Sequence, residues 1–127
     1  MAKYVHGDVL DKGLNELKNF GTNLLVLKAY TLGDSYATVI GNKLSDTTIS
    51  SADMIITGGD AAAHVLTVAA KSDTADAGSG ASPDLHIAIT DGTSRVLAVT
   101  DETSDQVVTL GNTINIPSWT VTAAQPT

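Results

Sequence analysis

Apolar residues recur in this chain with two rhythms. Over residues 8–19, DVLDKGLNELKN, Leu10, Leu14 and Leu17 return at spacings of four and three and so share one face of a helix. Asp8 is placed to cap the start, Asp11 adds negative charge to the first turn, and Lys18 sits near the opposite end. Gly21 reads as a left-handed stop. Gly13 costs about 1 kcal/mol relative to alanine inside a helix, a cost that a close backbone approach could recover. Residues 1–7 read as an extended arm, frayed or held by a neighbour.

After the helix the apolar runs shorten and most of them alternate, which is the rhythm of half-buried strands. Residues 23–29, NLLVLKA, are continuous instead and suggest a strand buried on one or both faces. Residues 30–52 are rich in turn formers and read as a long loop with one short strand, anchored by Tyr36, Val39, Ile40 and Leu44. A brief strand is expected at 53–57. AAHVLTVAA, at 62–70, fits strand or helix, with strand preferred. Residues 71–83, KSDTADAGSGASP, hold no large apolar side chain and are expected to be the most mobile stretch.

The clearest β signal is residues 84–121. Leu85, Ile87 and Ile89 point one way, with His86, Ala88 and Thr90 opposite. Asp91-Gly92-Thr93-Ser94 supplies a tight reversal. In the next strand Leu97 and Val99 are expected on one face, Val96 and Ala98 on the other. Val107–Leu110 reads as a strand turning at Gly111-Asn112 into a last strand at 113–121. There Ile114 and Ile116 are out of phase with Trp119 and Val121, so a bulge at Pro117-Ser118 is expected to bring Trp119 back to the core. Residues 122–127 read as an extended, exposed tail. The fold class that follows is mainly β: an antiparallel β-sandwich or partly open barrel with one N-terminal α-helix, spanning 1–127 as a single domain.

Composition narrows function more than fold. The chain has 127 residues and no cysteine, which removes disulfides, thiol nucleophiles and thiolate metal ligands. A net charge of −7 disfavours non-specific adhesion to nucleic acid or anionic membrane. No apolar run approaches the ~20 residues of a spanning helix, and the start lacks a signal-peptide apolar region. The expectation is a protein that works where it is made or in an assembly built there. Only 17% of residues are charged, while 17 threonines suit a β surface.

No catalytic constellation emerges. His6, His64 and His86 form no HExxH and no short ligand pair, so no metal and no cofactor are expected. Many aspartates fall in turns and caps, where they have structural work. DTADAGSG lacks the closing glutamate of a calcium loop, although the acidic surface leaves weak calcium binding open. Gly58-Gly59 and Gly78-Ser79-Gly80 lack the strand–loop–helix context of a phosphate cradle. Five residues stand out as interface candidates: Tyr4, His6, Tyr30, Tyr36 and Trp119. Trp119 is also a candidate core plug.

Two segments carry a resemblance. The first is YVHGDVLDKGLNELKNFGTNLLVLKAY, in which Asp8, Val9, Leu10, Asp11, Leu14, Leu17, Thr22, Leu24 and Val26 fit a DxVLDxxLxxLxxxxTxLxVL-type pattern. The second comprises Ile89-Thr90-Asp91-Gly92, Ser94–Thr100, Val108-Thr109, Gly111-Asn112-Thr113 and Ile116-Pro117-Ser118-Trp119. Together they resemble small virion structural proteins of tailed bacteriophages, of the head decoration or cement type. The tail, TVTAAQPT, departs from the acidic Asp-Pro ending of that pattern. The resemblance implies a non-enzymatic protein on the outer surface of a capsid, assembled in the host bacterial cytoplasm. Its implied partners are the major capsid protein and copies of itself, a trimer being one closed form that could match local three-fold positions. A neck or tail component and a carbohydrate- or surface-binding module are the alternatives.

Overall fold

The computed structural model describes residues 3–125. The order of elements is α1 (Gly7–Phe20), β1 (Asn23–Leu27), α2 (Tyr36–Gly41), β2 (Lys43–Thr48), a 3-10 turn (Ser51–Asp53), β3 (Met54–Thr57), β4 (His64–Val68), β5 (Lys71–Thr74), β6 (His86–Thr90), β7 (Val96–Asp101), β8 (Thr113–Ile116) and β9 (Trp119–Ala123). The strands form three antiparallel sheets, β2-β1-β6-β7, β3-β4-β9 and β5-β8, which do not close into a barrel. The expected mainly β class with an N-terminal helix is thus observed.

The main core lies between the first two sheets. Leu24, Val26, Ile87 and Ile89 meet Met54, Leu66 and Val68, and Leu14 and Leu17 of α1 join them. The helix lies against all three strands of the second sheet. The other face of the four-stranded sheet has its own apolar layer: Leu25, Leu27 and Ala88, covered by Val39 of α2 with Tyr30 and Ile40. β1 is therefore apolar on both faces, which explains its unbroken NLLVL run.

α1 starts one residue before the expected stretch and ends one after it. Its cap is His6, whose Nδ1 accepts from the Asp8 amide at 3.1 Å; Asp8 is inside the first turn. Gly21 has φ −70°, so it is no left-handed stop. A Cβ there would lie 2.7 Å from the Leu17 carbonyl and 2.8 Å from Ile89 Cγ2, and lack of space explains the glycine. Gly13 meets no close backbone.

Several loop expectations are corrected. Residues 30–52 contain both α2, capped by Ser35, and β2. Residues 71–83 begin as β5, and Ala75, Asp76 and Ser79 donate amides to Asn112, Leu44 and Val108. Val107–Leu110 is not a strand, so Gly111-Asn112 turns no hairpin. The run 113–121 is not one bulged strand. Pro117-Ser118 separates β8, paired with β5, from β9, paired with β4. Ser118 Oγ donates to the Val68 carbonyl at 2.7 Å at this crossing between sheets. Ile116 is buried, and Ile114, Trp119 and Val121 pack against the main core as partly buried side chains.

In β7 the expected face assignment fails for a specific reason. Thr90 pairs with Val96 but Ile89 pairs with Ala98, so Leu97 is an extra residue in a bulge. Leu97 and Ala98 both pack toward the main core, and Val96 and Val99 toward the outer layer.

Candidate interaction surfaces and an acidic histidine cluster

One end of the molecule is built from both termini. The Val5 amide donates to Gln125 Oε1 at 2.9 Å, and Gln125 Nε2 donates to the Val5 carbonyl at 2.9 Å and to Ala62 O at 3.3 Å. Gln125 of the tail is thus tied both to the N-terminal arm and to the β3–β4 loop. Met1, Ala2, Pro126 and Thr127 of the expected arm and tail lie outside the described residues. Tyr4 and His6 make an edge-on ring contact with centroids 6.4 Å apart. Tyr4 is 55% and Val9 63% exposed, so this end presents apolar surface to solvent.

Behind it, α1 is fastened to β4. His64 Nδ1 lies 2.5 Å from Asp11 Oδ1, and its Nε2 lies 3.1 Å from the Gly59 carbonyl. The His64 side chain is only 7% exposed. The Asp11 carboxylate raises the His64 pKa, more than burial lowers it, and Gly59 and Asp60 act in the same direction as Asp11. At the far end of α1, Arg95 donates to Glu16 and Asp91 at 3.0 Å each and sits 5.3 Å from the Phe20 ring centroid. Asp91 Oδ1 also accepts the amides of Thr93, Ser94 and Arg95. Those three amides hold the Asp91 carboxyl far below the usual range.

The outer face of the four-stranded sheet carries the second surface. Tyr30 packs on His86, with centroids 5.6 Å apart. An open groove of about 460 Å³ runs beside it, lined by Leu32, Gly33, Asp34 and Val96–Val99. Leu32 is 94% exposed. On the same face Asp84, His86 and Asp101 form a cluster with donor atoms within 4.8 Å of one another. It holds one of the three histidines, so the histidines themselves do not converge. Sequence reading missed the cluster. The signal was the Asp84-x-His86 spacing, which puts two side chains on one side of an extended chain, but Asp101 becomes their neighbour only through the pairing of β6 with β7.

A third feature is a cavity of about 600 Å³ beneath residues 102–109, with Val26, Leu85 and Ile87 among its walls. Glu102 is the single titratable side chain in its lining. An acid/base pair has no second member there.

The five interface candidates do not assemble into one patch. Tyr4 and His6 touch each other at the terminal end, and Tyr30 belongs to the outer sheet face. Tyr36, half-buried, opens α2. Trp119 is half-buried against the core, with an enclosed indole N–H that has no hydrogen-bond partner among the described residues. The exposed apolar residues Val9, Phe20, Leu32, Ile55, Val107 and Leu110 were not singled out in the sequence. No family model, curated protein or solved structure matches this chain.

Proposed function

We propose that the protein is a non-enzymatic structural component of a tailed-phage virion that binds the outer capsid surface and stabilises the shell. The residue pattern of α1–β1 and of residues 89–119 supports the virion assignment. The observation that carries the mode of action is the paired terminal end. Two chain termini are tied side by side through Val5 and Gln125. They lie beside exposed Tyr4 and Val9, on a scaffold whose main core is elsewhere. That arrangement offers a docking edge that can engage a neighbour without disturbing the fold. Many copies, each adding a modest interface, would brace subunit junctions by mass action and multivalency. Self-association into a closed ring such as a trimer would match a local symmetry axis.

Particles of the phage that encodes the chain provide the test. Quantitative mass spectrometry should find it in hundreds of copies per particle, and a particle map should place its paired termini against the major capsid protein. Six or twelve copies would assign it to the neck or tail instead, and absence from particles would refute a virion role. A carbohydrate-binding module gains less support, because Trp119 packs against the core and provides no open aromatic platform.

A further inference from the structure

The Asp84–His86–Asp101 cluster is built on the sheet itself. His86 and Asp101 are direct cross-strand partners in the β6–β7 pair. Asp84 precedes His86 by two residues, and extended backbone puts both on one side. The imidazole is oriented before any ligand arrives. Its Nδ1 lies 3.0 Å from the Asp84 carbonyl oxygen. A carbonyl can only accept, so in the neutral ring Nδ1 carries the proton and Nε2 keeps the lone pair. Tyr30 packs on the ring, and the His86 side chain is 13% exposed.

The free Nε2 lies 3.7 Å from Asp101 Oδ1. This is too long for a hydrogen bond. Two donors on one tetrahedral ion at ~2.0–2.2 Å stand about 3.4 Å apart, so the gap is close to the one an ion would span. Asp84 Oδ1 lies 3.9 Å from Nδ1, on the other edge of the ring, and has to turn toward Nε2 to share an ion. Asp84 and Asp101 are 66% and 62% exposed, which leaves their carboxylates room to do so. A fixed imidazole donating its other N–H to a backbone carbonyl is the usual support of a metal-bound histidine.

We propose that Asp84, His86 and Asp101 bind one divalent ion of the zinc class, with water in the remaining position. One nitrogen and two carboxylates suit a borderline transition ion, whereas calcium requires six to eight oxygens. The ion links the start of β6 to the end of β7, beside the Tyr30 groove.

Isothermal titration of Zn²⁺ into the full chain at pH 7 tests this. The expected result is one ion per chain. His86→Gln and Asp101→Asn should each weaken binding by at least about tenfold. His6→Gln, which alters the exposed histidine beside Asp8, should leave it unchanged. Circular dichroism establishes that each variant is folded, and the exposed Asp101 serves if His86→Gln is not. Zinc should also raise the melting temperature of the wild type and not of Asp101→Asn. The assignment is overturned by absence of saturable zinc uptake. It is equally overturned by uptake that survives in Asp101→Asn, or by uptake lost only in His6→Gln.

Discussion

At the scale of single residues, the most informative positions are buried polar ones. Ser45 is fully buried in β2, and its hydroxyl has no partner among the described residues. An enclosed polar atom without a partner costs stability, while alanine fits the same space. Ser45→Ala is therefore expected to leave stability unchanged or raise it by up to about 1 kcal/mol, read from the urea midpoint at constant slope. A loss above that would mean the hydroxyl has a partner. His64 is the opposite case, a buried polar group that is well satisfied. Its pKa is raised in the folded protein by Asp11, so the folded state binds the proton more tightly than the unfolded chain does. The resulting stabilisation is complete below the unfolded value near ~6.5 and is lost as pH rises through the folded value. Melting temperatures measured from pH 5 to 9 should fall through this window for the wild type. The fall should be shallower in Asp11→Asn, which removes the carboxylate that raises the pKa. An equal slope in both proteins would locate the dependence elsewhere.

At the scale of elements, residue patterns revealed most of the secondary structure and little of its pairing. α1 was legible because three leucines at helical spacing leave one face to bury. β6 was legible because Leu85, Ile87 and Ile89 alternate cleanly with polar or small residues. The β7 bulge was not. Carrying the Thr90–Val96 register onward would set Thr100 opposite His86, whereas the extra Leu97 sets Asp101 there. A one-residue slip is invisible when residues 96–99 are all apolar. It is also what assembles the acidic cluster, so fold and candidate site became obscure at the same residue. The reversal before β7 yields a prediction at this scale. Gly92 has φ +76°, and a Cβ there would lie 2.6 Å from Asn23 Oδ1 and 2.9 Å from Thr22 Oγ1. Gly111 has φ +89° with nothing close. Gly111→Ala should cost only the backbone term, about 1–2 kcal/mol. Gly92→Ala should cost more, because the side chains of Asn23, which opens β1, and of Thr22 before it must also shift. Equal losses in denaturant titration would show that Asn23 and Thr22 move without penalty.

At the scale of the whole molecule, the terminal end is separable from the core in a way the sequence could not reveal. The arm holds one aromatic residue and no apolar periodicity, so nothing along the chain linked Val5 to Gln125. Their contact spans nearly the full length of the chain and consists of two hydrogen bonds at a half-buried site. The main core, by contrast, is fully enclosed around Leu24, Leu66 and Ile89. Gln125→Ala should then release the arm while leaving the sandwich intact. Global stability should fall by no more than about 1 kcal/mol per lost bond, and less if water replaces the amide. Local opening should increase sharply, read as faster hydrogen exchange at the Val5 amide against unchanged exchange in β1 and β6. A cooperative loss of several kcal/mol would instead make the terminal knot part of the folding core, and a docking edge there would be untenable. If the fold survives and the arm opens, the same variant separates the two roles of this end. Reduced occupancy on virions by a fully folded Gln125→Ala would mean that the tie presents Tyr4 and Val9 to the capsid in a fixed arrangement. Unchanged occupancy would transfer the docking role to Leu32 and the outer sheet face.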